Sequence, residues 1–234
     1  MRQARTALTA AALTALVHGH AFAQGEPIKI GVVLPFAPPF ELYSKSMELS
    51  MKLAVEEVGG AVAGRKLELI FENDENKPPQ AIAKAKKLIT SDRVHILMGG
   101  LASNLALAIH PEAVAAQQPT VMINAGHASI TGKDCSPWVV RVSFSNEQMI
   151  RDSGAWVFTK LGHKTAYVMS LDYAGGREII DIFKREYTKA GGKVLGEAFA
   201  PFGVKDFGPY LAEAKKANPE TVYVFFPGGP AIQF

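Results

Sequence analysis

The residues able to do acid–base, nucleophilic or metal chemistry are dispersed along this chain. Beyond residue 23 the histidines are His95, His110, His127 and His163, with no HxxxH or HExxH pair. A metal site needs clustered His, Cys or acidic ligands, so no metal is expected. There is no Gly-x-Ser-x-Gly elbow, no phosphate-cradling GxxxxGK[ST] loop and no Gly-x-Gly-x-x-Gly fingerprint. Gly99-Gly100 alone is too common to signify a nucleotide, and neither a cofactor nor an enzymatic activity is expected. Cys135 is the single cysteine and cannot form an internal disulfide; it reads as a buried or loop bystander. What remains are small, polar and aromatic residues placed just after short apolar runs. Ser103 follows Gly99-Gly100-Leu101-Ala102 and can donate a hydrogen bond at a helix start, either to a ligand or merely as a cap of its own helix. Tyr173 follows another run, as an aromatic wall over a ligand or as simple packing.

The elements that would position these residues alternate in texture. Short β-branched and apolar runs occur at Ile28–Leu34, Leu67–Phe71, Val94–Met98, Thr120–Ile123, Thr165–Met169, Lys193–Phe199 and Thr221–Phe226, each short enough for a buried strand. Between them, Tyr43–Val58, Ala81–Ile89, Leu105–Ala116, Met149–Leu161, Ile179–Ala190 and Phe207–Ala217 have helical spacing. In the first helix Met47, Leu49, Met51, Leu53, Ala54, Val55 and Val58 are the apolar positions, with Lys52, Glu56 and Glu57 for the wet side. Gly59-Gly60 and Gly191-Gly192 follow helices where the chain must exit through positive φ. Asp206 stands at an N-cap position, with Pro209 in the first turn. Strands alternating with helices imply an α/β fold, with parallel sheets covered on both faces. The polar, glycine-containing stretch Asn124–Pro137 breaks the rhythm, and after the bridge Trp138–Ser145 it restarts. Two Rossmann-like lobes are expected, 24–123 and 146–234, with 124–145 as crossover or hinge.

Residues 1–23 have the three parts of a secretory signal: basic Arg2 and Arg5, the short apolar run Thr6–Val17, and Ala21-Phe22-Ala23 before a cleavage point at Gln24. An apolar run of about twelve residues is too short for a bilayer, which needs roughly twenty. No cysteine follows the cleavage point to carry a lipid. The whole chain has 25 Lys+Arg against 22 Asp+Glu, a net charge of +3; losing Arg2 and Arg5 leaves +1. That balance argues against a nucleic-acid partner, which would meet a concentrated basic face. With 48% hydrophobic and 20% charged residues, the chain has ample material for a packed core.

The order of segments resembles the type I periplasmic binding proteins of the branched-chain amino acid (Leu/Ile/Val) family. The resemblance is carried by Ile28-Lys29-Ile30-Gly31-Val32-Val33-Leu34, by Phe71-Glu72-Asn73-Asp74 with Pro78 and Ala81, and by Gly99-Gly100 followed by Ser103. It continues through Asn124-Ala125-Gly126, Cys135-Ser136-Pro137-Trp138-Val139-Val140-Arg141, Asp172-Tyr173-Ala174 with Gly176-Arg177, and Asp206-Phe207. It implies a solute-binding component of an ABC importer, located in the periplasm and monomeric. Such a protein closes two lobes about a small carboxylate, an amino acid or an aromatic acid, and hands it to a permease in the inner membrane. Ligands of open parallel sheets sit beyond the strands' carboxyl ends, where helix N-termini suit an anion. The resemblance therefore turns Ser103 toward the ligand and gives the ligand's polar end to backbone groups of Asn124, Ala125 and Gly126. His127 occupies a position more often small in such proteins, as a ligand donor or a solvent-facing loop residue. Tyr173 becomes a ligand wall, and Gly228, with Gly229-Pro230-Ala231, resembles another ligand-side loop. Asp74 is read as a turn or capping residue and Arg141 as a structural anchor. The alternative is a ligand-sensing domain of a signalling receptor, which normally precedes a membrane span. A DNA-binding regulator of this fold would carry a helix-turn-helix where this chain has its export signal.

Three departures from the family pattern matter. The first loop is usually small and Ser/Thr-Gly-rich, but here it is Pro35-Phe36-Ala37-Pro38-Pro39-Phe40, which suggests a bulkier or more apolar ligand. Gly175 stands where the family places an aromatic residue. Members of the family are also usually much longer, which implies that 24–123 is only the first part of the N-terminal lobe and that the second lobe, 146–234, is incomplete. The expectation is a truncated frame or fragment whose incomplete cleft binds weakly or not at all.

Overall fold

The computed structural model describes residues 25–234; residues 1–24, and with them the expected export signal and its cleavage point, lie outside the described residues. The first strand, β1 (Gly25–Leu34), ends in Val32, Val33 and Leu34, all completely buried. Such a run has no wet face, so it needs neighbours on both edges and cover on both sides. It finds them in β3 (Arg65–Asn73) and β4 (Ile96–Gly99), both parallel to it. β5 (Thr120–Met122) and β6 (Val139–Arg141) extend the sheet in parallel, and the short β2 (Ala61–Val62) folds back antiparallel on β3. The six-stranded order is β2-β3-β1-β4-β5-β6. Helices α1 (Glu41–Glu57), α2 (Pro78–Lys86) and α3 (Ser103–Ala115) make the connections.

After β6 come the short helices α4 (Asn146–Ile150) and α5 (Ser153–Trp156), then a second, three-stranded parallel sheet. Its central strand is β7 (Thr165–Leu171), between β8 (Lys193–Ala200) and β9 (Thr221–Phe225), with α6 (Ala174–Lys189) and α7 (Gly208–Ala217) as crossovers and α8 (Gly229–Gln233) last. The period-two geometry of a strand is visible in β7. Ala166 and Val168 enter a core with Ile180, Phe183 and Tyr187 on one face, while Tyr167, Met169 and Leu171 join Phe207 and Phe226 on the other. The expected α/β class with two parallel sheets flanked by helices is what the chain forms.

Several local expectations differ from what is observed. The single helix expected over Met149–Leu161 is split at Arg151–Asp152, and begins earlier, where Ser145 and Gln148 form a capping box. In α1 the face toward the core carries Ser44, Met47 and Met51, leaving Leu49, Leu53 and Val58 exposed despite their apolar side chains. Asp206 sits one residue outside the cap position, where its Oδ1 accepts the Gly208 N–H (2.8 Å). Of the glycines expected at helix exits, Gly59 and Gly60 both have φ of 72°, but of the later pair only Gly191 is left-handed (φ 109°). The stretch 124–145 contributes β6 to the first sheet as well as a 3-10 turn, Ala128–Thr131.

The turn leaving β3 concentrates buried polarity. Asn73 Oδ1 accepts the N–H groups of Phe36 (3.0 Å) and Glu75 (2.8 Å), and Asp74 Oδ1 accepts that of Asn76 (2.9 Å). These side-chain-to-backbone bonds hold Glu75 and Asn76 at φ of 53° and 58°, in keeping with a turn role for Asp74. Asp74 is completely buried, and its Oδ2 has no partner among the described residues. Burial without a compensating charge pushes its carboxyl up to about 6. The folded chain therefore retains this proton between about pH 4 and 6 while the unfolded chain releases it, so the contribution to stability falls as pH rises through that window. Asp74→Asn should remove this slope and make the chain roughly 1–3 kcal/mol more stable than the parent at pH 7.5 but not at pH 4. Denaturant unfolding at the two pH values measures both effects.

Candidate functional site

The loops leaving the strand ends of both sheets meet around a cleft of about 320 Å³. From the first sheet, Phe40 and Tyr43 follow β1, Leu101 to Ser103 follow β4, and Asn124 and Gly126 follow β5. Ser143, Phe144 and Asn146 follow β6, with Met149 beyond them. From the second sheet come Tyr173 after β7, then Phe225 and Pro227 at and after the end of β9. The lining is aromatic on its broad faces and amide- or hydroxyl-bearing along one edge. Among the described residues none of these lining side chains is a carboxylate.

The polar edge is rigid because its loops are pinned to one another. Asn124 Nδ2 donates to Leu101 O (2.8 Å), Ser143 Oγ to Asn124 O (2.9 Å), and Asn146 N–H to Gly126 O (2.7 Å). Arg141 Nη1 donates to His127 O (2.9 Å) and Nη2 to Thr131 Oγ1 (2.7 Å), so it anchors the loop after β5 from beneath.

Two helices begin at this cleft without a side-chain cap. The residue before α3 is Ala102, in extended geometry (φ −96°, ψ 150°), and Ser103 is the first helical residue. Ser103 therefore does not act as the N-cap of its helix. Leu105 and Ala106 N–H turn back to Ala102 O, leaving the Ser103 and Asn104 N–H groups without a backbone partner among the described residues. Helix α6 likewise follows Tyr173 with no side-chain cap. The two helix starts nearly touch: a Cβ on Gly175 would come within 2.8 Å of Ser103 Oγ and also of the Tyr173 ring. The absence of a side chain at 175 is what allows the second sheet's helix to approach the first sheet's serine.

On the other side, aromatic rings join the sheets. Phe40 lies 5.7 Å from Phe202 and 6.4 Å from Tyr173, and Tyr173 lies 5.4 Å from Phe202, centroid to centroid. Phe36, from the same stiff first loop, instead packs edge-on against Phe71 (6.4 Å). Burial pushes the Tyr173 phenol well above its ordinary range, so its hydroxyl remains a proton donor at any physiological pH.

Of the residues singled out from sequence, Ser103, Asn124, Gly126 and Tyr173 line one cleft. Ala125 lies beneath it, buried, donating its N–H to Gly100 O (2.9 Å). His127 lies in a separate depression shared with Glu147, Arg177 and Arg185, where its Nδ1 engages Ser129 and its Nε2 is 3.7 Å from Glu178. Gly228 precedes α8 at φ 74°, pressed against Pro39 O, and borders another depression with Pro38, Leu42 and Ile232. Ser143, Phe144, Asn146 and Met149 were not anticipated. The Ser145–Gln148 capping pattern was the available signal that a helix begins there.

Comparison with known proteins gives a consistent answer. The family model described as periplasmic binding protein matches residues 27–234. A Leu/Ile/Val-binding protein homolog 6 of Brucella abortus is 31% identical over 227 residues, covering 97% of this chain and 57% of the relative. Among solved structures, a solute-binding protein of an ABC transporter from R. palustris in complex with benzoate is 33% identical with a TM-score of 0.84, over 89% of this chain and 57% of that one. Another, from Rhodopseudomonas palustris BisB5 in complex with 3,4-dihydroxybenzoic acid, is 32% identical with a TM-score of 0.79, over 87% and 55%. The chain thus spans a little over half the length of the relatives it matches.

The Gly175 contact has a sign that separates it from ordinary helix propensity. Within a helix, Gly→Ala is normally stabilising by up to about 1 kcal/mol. Gly175→Ala should instead destabilise by about 1–3 kcal/mol, because Ser103 or Tyr173 must move aside. Thermal unfolding reads the sign directly, as a lowered Tm.

Proposed function

The chain belongs to the periplasmic binding protein family, and on that premise we propose that it serves as the solute-binding component of an ABC importer. Its two sheets are read as two lobes, residues 25–123 and 146–234, with 124–145 between them and β6 returning to the first. A small carboxylate is held between the lobes in the periplasm and passed by a monomeric protein to an inner-membrane permease. On this reading the N-terminal segment directs export with cleavage before Gln24, and the chain binds and releases solute without chemical turnover.

The observation that carries the reading is the meeting of the uncapped starts of α3 and α6 at Ser103 and Gly175. Each presents backbone N–H groups and the positive end of a helix dipole, and together they suit one carboxylate. Ser103 Oγ, Asn124, the Gly126 backbone and the Tyr173 hydroxyl are the proposed polar contacts. Phe40, Tyr43, Phe144 and Phe225 supply apolar faces for the rest of the solute.

The lining favours an aromatic acid over an amino acid. An α-ammonium group entering this lining would be desolvated with no carboxylate beside it among the described residues, which is costly. A benzoate-like ring would lose water against aromatic walls, which is favourable. The relatives bound to benzoate and to dihydroxybenzoic acid support the same preference. Because loops of both sheets line the cleft, benzoate and 4-hydroxybenzoate should stabilise the chain saturably, and more than leucine at equal concentration, in a thermal-shift titration, against the expectation from length that an incomplete cleft binds weakly or not at all. Ser103→Ala should weaken that binding by about tenfold, the loss of one hydrogen bond to a charged group. Equal responses to leucine and benzoate, or a Ser103→Ala variant that binds as tightly as the parent, would count against the assignment.

A further inference from the structure

One carboxylate joins separate pieces of chain at the polar edge of the cleft without itself lining it. Glu178, in the second turn of α6, is largely shielded, with 16% of its side chain exposed. Its Oε1 accepts the Ala128 N–H (2.9 Å) and its Oε2 accepts Asn146 Nδ2 (2.6 Å). Ala128 lies in the loop after β5 of the first sheet, whereas Asn146 opens α4, which packs against α6. Asn146 N–H in turn donates to Gly126 O (2.7 Å). The circuit Glu178–Asn146–Gly126–Ala128 therefore closes across the junction of the two sheets, and two of its members, Gly126 and Asn146, line the cleft.

We propose that Glu178 is a positioning residue: its carboxylate clamps the 126–128 loop to α6 and fixes the orientation of the Asn146 amide at the cleft. This rests on the reading of that cleft as the solute site. An ionised carboxylate can only accept hydrogen bonds, so Asn146 must offer its Nδ2 and keep Oδ1 on the Gly126 side. The fit there is close, because a Cβ on Gly126 would collide with Asn146 Oδ1. Glu178 sits among charged groups of both signs. His127 Nε2 lies 3.7 Å away, and Arg177 and Arg185 border the same depression, together with the acidic Glu147 and Asp181. Arg141 holds the loop from the opposite side through His127 O (2.9 Å). Bonds with an ionised partner are roughly twice as strong as neutral ones, so the Glu178 carboxylate and the Arg141 guanidinium are the strong ties of the loop.

The clamp can be read without any solute, by NMR on the purified chain. In the parent, the Ala128 amide should be protected from hydrogen exchange, and the Asn146 Nδ2 proton bonded to Glu178 should be shifted downfield and exchange slowly with water. Glu178→Ala should accelerate Ala128 exchange by about tenfold or more and collapse the Asn146 signature, with far-UV circular dichroism unchanged. Glu178→Gln, which retains helix propensity and size, guards against misfolding and should show the same Asn146 change. Asn146→Asp alone should also lose Ala128 protection, because two carboxylates then face each other. The double variant Glu178→Gln with Asn146→Asp exchanges donor for acceptor and should restore Ala128 protection, which a merely space-filling Glu178 would not do. Unchanged Ala128 exchange in Glu178→Ala, or no recovery in the double variant, overturns the clamp. Benzoate added to the same samples gives the second arm: Glu178→Ala should weaken its binding by about tenfold. A parent chain that ignores benzoate refutes the solute reading, while the exchange data still decide the clamp.

Discussion

Helices α3 and α6 start at strand ends with backbone N–H groups that no side chain caps, and their starts meet at Ser103 and Gly175. N–H groups left without a partner at a helix start carry partial positive charge, which an anion satisfies well, and here two such starts lie side by side. The rest of the architecture serves this constraint. Parallel β–α connectivity puts helix starts at the carboxyl edge of each sheet. The second sheet then brings α6 back against the first sheet's loop, close enough that a Cβ at position 175 would come within 2.8 Å of Ser103 Oγ.

The aromatic residues act on the same geometry from the other side. Phe40, Tyr173 and Phe202 come from loops of both sheets and pack at ring separations of 5.4–6.4 Å, so approach of the helix starts also buries apolar surface. Polar closure and apolar closure are thereby coupled through Tyr173, which belongs to the ring cluster and immediately precedes α6. The side chains that pin the edge, Asn124, Ser143 and Asn146, spend their hydrogen bonds on neighbouring loops. On the proposed reading of the cleft, rigidity there lowers the ordering cost of binding a solute.

Much of the fold was legible because its strands are short, β-branched runs, and in β7 adjacent residues enter different cores. The helix over 149–161 was less legible, since apolar spacing does not register the break at Arg151–Asp152. The outward leucines of α1 misled for a related reason, as periodicity identifies an apolar face but not which third of it meets the sheet. At the site, small residues after strands were good markers because close approach of backbone requires them; Gly126 and Ser103 are examples. Gly228 is small too, and His127 follows β5 in the same loop as Gly126, but both face other depressions. The direction a loop takes after its strand depends on tertiary bonds such as Arg141 to His127 O, which no local pattern encodes. Asn146 and Glu178 were invisible for the same reason, since the bonds that join them to Gly126, to each other and to Ala128 span 20, 32 and 50 positions.

The central claim is that one carboxylate is held jointly by the starts of α3 and α6. Its most direct test is a backbone amide chemical-shift titration of the chain with benzoate. The expected result is that Ser103, Asn104, Gly175 and Gly176 move together, saturably and with one dissociation constant. Shifts confined to one sheet, or centred on the depression around Pro38 and Ile232, would contradict it.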